Sequence, residues 1–143
     1  MAGTFFFQVV SPVGAVLTED VQFVVLPGTE GELGILPNHT PLMSSVACGV
    51  VRYTLHDEVK KMAVSGGFVE VSHNQVTLLA ETAELAEHID CFRAEDAKAR
   101  AEERLKVAMS MKDANDIDLI RAEAALKRAI SRIGASDQGN KFS

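Results

Sequence analysis

The stretch VACGVVRYTLHDEVKKMAVSGGFVEVSHNQVTLLA (46–80) decides the fold. Val50, Arg52 and Thr54 alternate with Val51, Tyr53 and Leu55. Period-two mixing rich in β-branched residues marks a half-buried strand. His56, Asp57 and Glu58 make a tight connection to a second strand over 59–64, which gives a hairpin. Ser65-Gly66-Gly67 breaks the run and reads as a bent or bulged strand, because neither a lysine nor a helix follows it as a phosphate loop would require. Strands over 68–72 and 75–80 form a second hairpin around His73-Asn74, where asparagine tolerates the left-handed backbone that such turns need.

Toward the N-terminus the same texture continues. Strands are expected over 5–10, 15–17, 21–26 and 33–36, with turns at Ser11-Pro12-Val13-Gly14 and Pro27-Gly28. GELGILPNHTPL (31–42) is the densest punctuation in the chain. Pro37 and Pro41 have a fixed φ and no N–H, so neither lies inside a central strand. The expected form is a short strand entering a tight, partly buried loop that presents Glu32, Asn38 and His39 at one end of the fold. Residues 42–45 read as a further short extended piece. Many short strands with closely spaced turns point to an antiparallel sandwich or barrel, and the lack of interleaved helices argues against a parallel α/β fold.

Toward the C-terminus the pattern changes after Glu84. Asp90 is placed to cap a helix that runs to about Ser110, with Ala94, Ala97, Ala101, Leu105 and Ala108 on one face. Asp96 and Arg100, like Glu102 and Lys106, have the spacing of ion pairs along that helix. Lys112 to Asn115 is a polar break. Asp116 is placed to cap a second helix to Ile133, its face being Leu119, Ala122, Leu126, Ala129 and Ile133, with Gly134 as the terminating glycine. Residues 137–143 read as a frayed tail. Each helix is about 30 Å long, and a short connection favours an antiparallel hairpin. The seam is mostly alanine, which allows close approach but buries little area, so the hairpin reads as an arm able to detach or straighten. The division falls at 1–88 and 89–143.

Charge divides at the same place. The 143-residue chain carries −6 overall, with three basic against ten acidic side chains before residue 89 and eleven against ten after it. That balance argues against nucleic acid as a partner. No apolar run reaches the roughly 18–20 residues of a membrane span, and the N-terminus lacks the pattern of a signal peptide. Cys48 and Cys91 are far apart and outside any metal-ligand spacing. The four histidines form no HExxH, and Ser65 is not in a GxSxG elbow, so no nucleophile–base pair is legible. One basic cluster stands out: Arg93 and Arg100 on the first helix, with Arg121, Lys127, Arg128 and Arg132 on the second. It reads either as a solvated face or as an anion site between the helices.

Taken together, GELGILPNHTPL (31–42), SGGFVEV (65–71), NQVTLLAETAE (74–84) and IDCFRA (89–94), followed by an alanine-rich helical pair, resemble the epsilon subunits of bacterial F-type ATP synthases. The resemblance runs from Phe7 to about Ile133. It implies a β-sandwich of about ten short antiparallel strands followed by a C-terminal antiparallel α-helical hairpin. It also implies a non-catalytic central-stalk subunit that binds the gamma subunit and rests on the c-ring, with Glu32 and His39 as ring contacts. The arm would fold on the sandwich or extend toward the alpha and beta subunits to inhibit ATP hydrolysis. No cofactor is required, but the match of IDCFRA to the family's [I/L]-D-x-x-R-A pattern implies ATP as a regulatory ligand. Its candidate residues are Ile89, Asp90, Arg93 and Ala94, with Arg100 and Arg121 facing the phosphates. The implied location is the cytoplasmic face of a bacterial inner membrane, peripherally, within the complex. The alternative is a free-standing ATP-sensing module.

Overall fold

The computed structural model describes residues 3–110 and 116–136. Among them are eight strands: β1 (Phe5–Ser11), β2 (Gly14–Val21), β3 (Phe23–Gly28), β4 (Gly31–Ile35), β5 (Leu42–Leu55), β6 (Glu58–Ser72), β7 (Gln75–Ala80) and β8 (Ala83–Leu85). A single 3₁₀ turn (Ala86–His88) leads to α1 (Cys91–Ser110) and α2 (Asp116–Ala135). The strand order is β2-β1-β7-β6-β5-β3-β4, with β8 also paired to β6. The ladder wraps around one core, which every strand but β2's exposed stretch helps to fill.

Alternation sets that core. Phe5, Phe7 and Val9 of β1 point inward, as do Val69 and Val71 of β6 and Val76 and Leu78 of β7. Each such side chain contributes roughly 1.5–3 kcal/mol when taken fully out of water. The Phe7 and Tyr53 rings meet at 6.1 Å between centroids, tilted by 52°. Burial, reinforced by the Glu87 and Glu19 carboxylates, pushes the Tyr53 hydroxyl up to about 12, so it stays neutral.

Both hairpins close on two-residue turns; the second is as the sequence indicates, while at the first Glu58, expected in the connection, already begins β6. His56 and Asp57, then His73 and Asn74, all take positive φ, the backbone that matches the twist of a hairpin. Gln22 steadies the first turn: its Nε2 donates to Asp57 Oδ1 at 3.0 Å, and its Oε1 accepts from the Asp57 amide at 2.8 Å.

Three expectations need correction. The strands are fewer and longer than about ten, because residues 42–55 and 58–72 each form one continuous strand. Gly66 and Gly67 do not interrupt β6, although the bent-strand reading holds. They bend it at φ of 120° and 146° while the ladder continues, with Ser65 N donating to Thr82 O and Glu81 N to Gly66 O. On one side of this bend β6 pairs with β8, and on the other with β7. The pairing is also not wholly antiparallel, since β1 and β7 run parallel. That arrangement follows from the long excursion between them, which lets β7 return beside β1 in the same direction.

The helical faces expected from spacing are the ones covered: Ala94 and Ala101 on α1, Ala122 and Ala129 on α2 are buried. α1 packs on α2, and α2 packs on β5 and β6, so the arm is docked on the head. The polar break at 112–115 and the tail at 137–143 lie outside the described residues. Gly134 does not end α2, which continues to Ala135. A methyl group at Gly134 would sit 3.5 Å from Val50 Cγ2, an ordinary van der Waals contact. Gly134→Ala should therefore stabilise the docked arm by about 0.5 kcal/mol through helix propensity. Slower amide exchange along α2 would report it, and faster exchange would mean that the glycine is needed for close approach.

Candidate functional site

The start of α1 is built by one side chain. Asp90 Oδ1 accepts the Arg93 amide at 3.2 Å, and the Asp90 carbonyl accepts the Ala94 amide at 3.0 Å. Asp90 is thus the N-cap, satisfying a donor that the first helical turn leaves open. The cap orients Arg93 one turn below it.

Beside that turn lies an open cleft of about 220 Å³. Its walls are Ile89, Asp90, Arg93, Ala94, Ala97 and Arg100 from the start of the arm and α1, Arg132 from α2, and Glu84 and His88 from the edge of the head. Five of the six residues in the nucleotide reading, Ile89, Asp90, Arg93, Ala94 and Arg100, come together here. Arg121 does not line this cleft. It is exposed on α2, and Arg132, three turns further on, takes the position facing α1.

Arg132 donates through Nε to Glu84 Oε1 at 2.9 Å and through Nη2 to the same oxygen. This pair joins α2 to the residues around β8. It is partly exposed, so solvent screens it and its worth is at most about 1 kcal/mol. The spacing-based pairs on α1 are replaced among the described residues by Lys98–Glu102 at 3.9 Å. Arg100 turns instead to the cleft and to an adjoining groove of about 260 Å³ that it shares with Arg104, Arg128 and Arg132 over the alanine seam. Four guanidinium groups along one groove, of which only Arg132 has a carboxylate partner among the described residues, form a site with excess positive charge. Planar guanidinium forks suit phosphate oxygens.

Sequence reasoning missed Glu84 and His88 altogether and saw Arg132 only as part of a basic cluster. The signal for Arg132 was its position one helical repeat along the same face from Arg128. No such signal existed for Glu84, which lies 48 residues away in the chain.

The other candidates sit apart from the cleft. Glu32, on β4, is paired: its Oε2 accepts from Arg52 Nη2 at 2.8 Å, in a pair exposed on both sides. His39 lies in the connection 36–41 and its Nδ1–H donates to the Thr40 carbonyl at 2.7 Å. That connection is tied down by Asn74, whose Oδ1 accepts the Asn38 amide at 2.7 Å while its Nδ2 donates to the Thr4 carbonyl at 3.1 Å. No group of three or more metal-ligating side chains occurs among the described residues, and none of their helices is long and apolar enough to cross a membrane.

A β-sandwich carrying a docked two-helix arm, with a basic cleft where the two meet, defines a protein built in two parts. The chain belongs to the delta/epsilon family of ATP synthase chains: residues 4–86 match its beta-sandwich domain and residues 87–137 its long alpha-helix domain. The ATP synthase epsilon chain of Desulfitobacterium hafniense is 57% identical over 136 residues, covering 95% of this chain and 98% of that one. That of Syntrophomonas wolfei is 48% identical, covering 94% and 96%. Among solved structures, a chain of the Euglena gracilis mitochondrial ATP synthase OSCP/F1/c-ring assembly shares the fold with a TM-score of 0.76 at 20% identity, covering 92% of this chain and 80% of that one.

Proposed function

We propose that this chain is a non-catalytic central-stalk subunit of a rotary ATP synthase, whose arm regulates ATP hydrolysis. Its head binds the gamma subunit and rests on the c-ring, through the end that carries Glu32 and His39. Its arm moves between the docked position and an extended one that reaches the alpha and beta subunits and blocks rotation. The chain is held peripherally at the cytoplasmic face of a bacterial inner membrane, through the complex. An apolar outer surface supports the docking role: Phe68 and Leu79, cross-strand neighbours on β6 and β7, are 59% and 55% exposed, and Met43 lies exposed on β5. Exposed aliphatic and aromatic clusters of this kind mark interaction surfaces.

One observation carries the regulatory part. The basic cleft takes walls from both halves, Glu84 and His88 beside the head and Asp90, Arg93, Arg100 and Arg132 on the arm. A ligand held there binds only the docked form and stabilises it in proportion to its occupancy. ATP is the proposed ligand, with its triphosphate toward Arg93, Arg100 and Arg132. Nothing in this role needs a catalytic residue, and none is assigned.

The test replaces the full chain by residues 1–88 in the assembled enzyme. The short chain is expected to join gamma and to raise ATP hydrolysis several-fold, because every residue of the hydrophobic core precedes residue 89. Failure to join gamma, or hydrolysis unchanged from the full chain, overturns the two-part reading.

A further inference from the structure

His88 closes the 3₁₀ turn between the head and α1, is exposed to solvent, and lines the same cleft as Arg93, Arg100 and Arg132. No hydrogen bond or ion pair engages its ring among the described residues. We propose that His88 makes anion binding in this cleft sensitive to pH, so that acidification tightens the ligand and holds the arm docked. The proposal rests on the cleft being the phosphate site described above.

The physical argument is one of charge. Histidine is the side chain whose ordinary titration falls between about pH 5 and 8. Protonated, His88 adds a cation to a wall already made of guanidinium groups, facing a polyphosphate. The carboxylates nearby are committed elsewhere: Glu84 to Arg132, and Asp90 to the amide of Arg93. Glu87, next to His88, lies with Glu58, Lys60 and Lys61 of β6 around a separate groove. Together with Glu87 those β6 charges balance, two carboxylates against two ammonium groups, and they add no net charge beside the imidazole. Ligand binding and protonation then favour each other. The imidazole binds its proton more tightly when the ligand is present, and the added affinity is full below the histidine range and lost as pH rises through it.

The experiment is calorimetric titration of the full chain with ATP at pH about 6 and about 8, alongside His88→Gln and His88→Lys. ATP titrates in the same range, and His88→Gln measures that contribution. Beyond it, the native chain is expected to bind about three- to ten-fold more tightly at the lower pH, the size for one added charge near a solvated phosphate. Measured against His88→Gln at the same pH, His88→Lys should show at pH 8 the gain that the native chain shows at pH 6. The His88 ring proton resonance, assigned by its loss in His88→Gln, should titrate at higher pH once ATP is added. Equal pH dependence in the native chain and His88→Gln, with binding retained, overturns the role of His88 and leaves the cleft in place. No binding at either pH overturns the cleft and this proposal together.

Discussion

Gly67→Ala is expected to destabilise the head by more than about 3 kcal/mol, a large share of the 5–15 kcal/mol typical of a domain. Gly67 sits where β6 bends, at φ of 146°, a conformation open to glycine and costly for any residue with a side chain. A methyl group there would lie 1.9 Å from the Leu79 carbonyl oxygen and 2.9 Å from its carbon. Neither side can yield cheaply. Gly67 is paired to Ala80 on one flank and to Val46 on the other, and Leu78, next to Leu79, is fully buried. Relief means opening the β6–β7 ladder or moving the core. Urea unfolding of the full chain, followed by far-ultraviolet circular dichroism, should show a clear drop in midpoint. An unchanged midpoint would mean that the bend has another way to accommodate a side chain.

The second large effect is functional. Cys48 of β5 and Ser131 of α2 face each other across the junction of head and arm, with Sγ and Oγ 3.6 Å apart. In a Cys91→Ser background, Ser131→Cys places a second thiol beside Cys48, and an oxidant is expected to join the two in a disulfide of about 2.05 Å. Oxidation should lock the arm in its docked position. The assembled enzyme would then hydrolyse ATP at the uninhibited rate, and a thiol reductant would restore inhibition. The same variant with Cys48→Ser should not respond to oxidant. If the oxidised, cross-linked enzyme remains inhibited, inhibition does not require the arm to leave the head.

Local patterns carried most of the architecture, and failures arose where partners are distant. The alternation through Val76, Leu78 and Ala80 and the turn at His73-Asn74 depend on neighbours in the chain, and they appear as read. So does the alanine face of the arm. Gly66-Gly67 was read as a bend that also interrupts the strand, because a glycine pair looks the same whether a strand ends or bends, and only the Thr82 and Glu81 hydrogen bonds show that the ladder continues. Gly134 satisfied the rule for a terminating glycine, but Arg132 O accepts the Ser136 amide at 3.0 Å and the helix runs on. At the cleft, the capping role of Asp90 was legible because a cap is a local device. Arg121 was preferred to Arg132 because helical periodicity says which residues share a face and not which level of the helix meets its neighbour. The pairing of Glu32 with Arg52 was hidden for the same reason: it links β4 to β5 across β3, a register that no local pattern encodes.

Asn74 joins three distant parts of the chain with one amide group, the Thr4 carbonyl on one side and the Asn38 amide on the other. In mechanical terms this is a cross-brace. A sideways load on the connection 36–41 passes through the brace to the β6–β7 turn and to the start of β1. Pulled along their length, those strands resist by shearing many backbone hydrogen bonds at once. Such a brace lets a loop between two prolines pass on a load without itself being stiff.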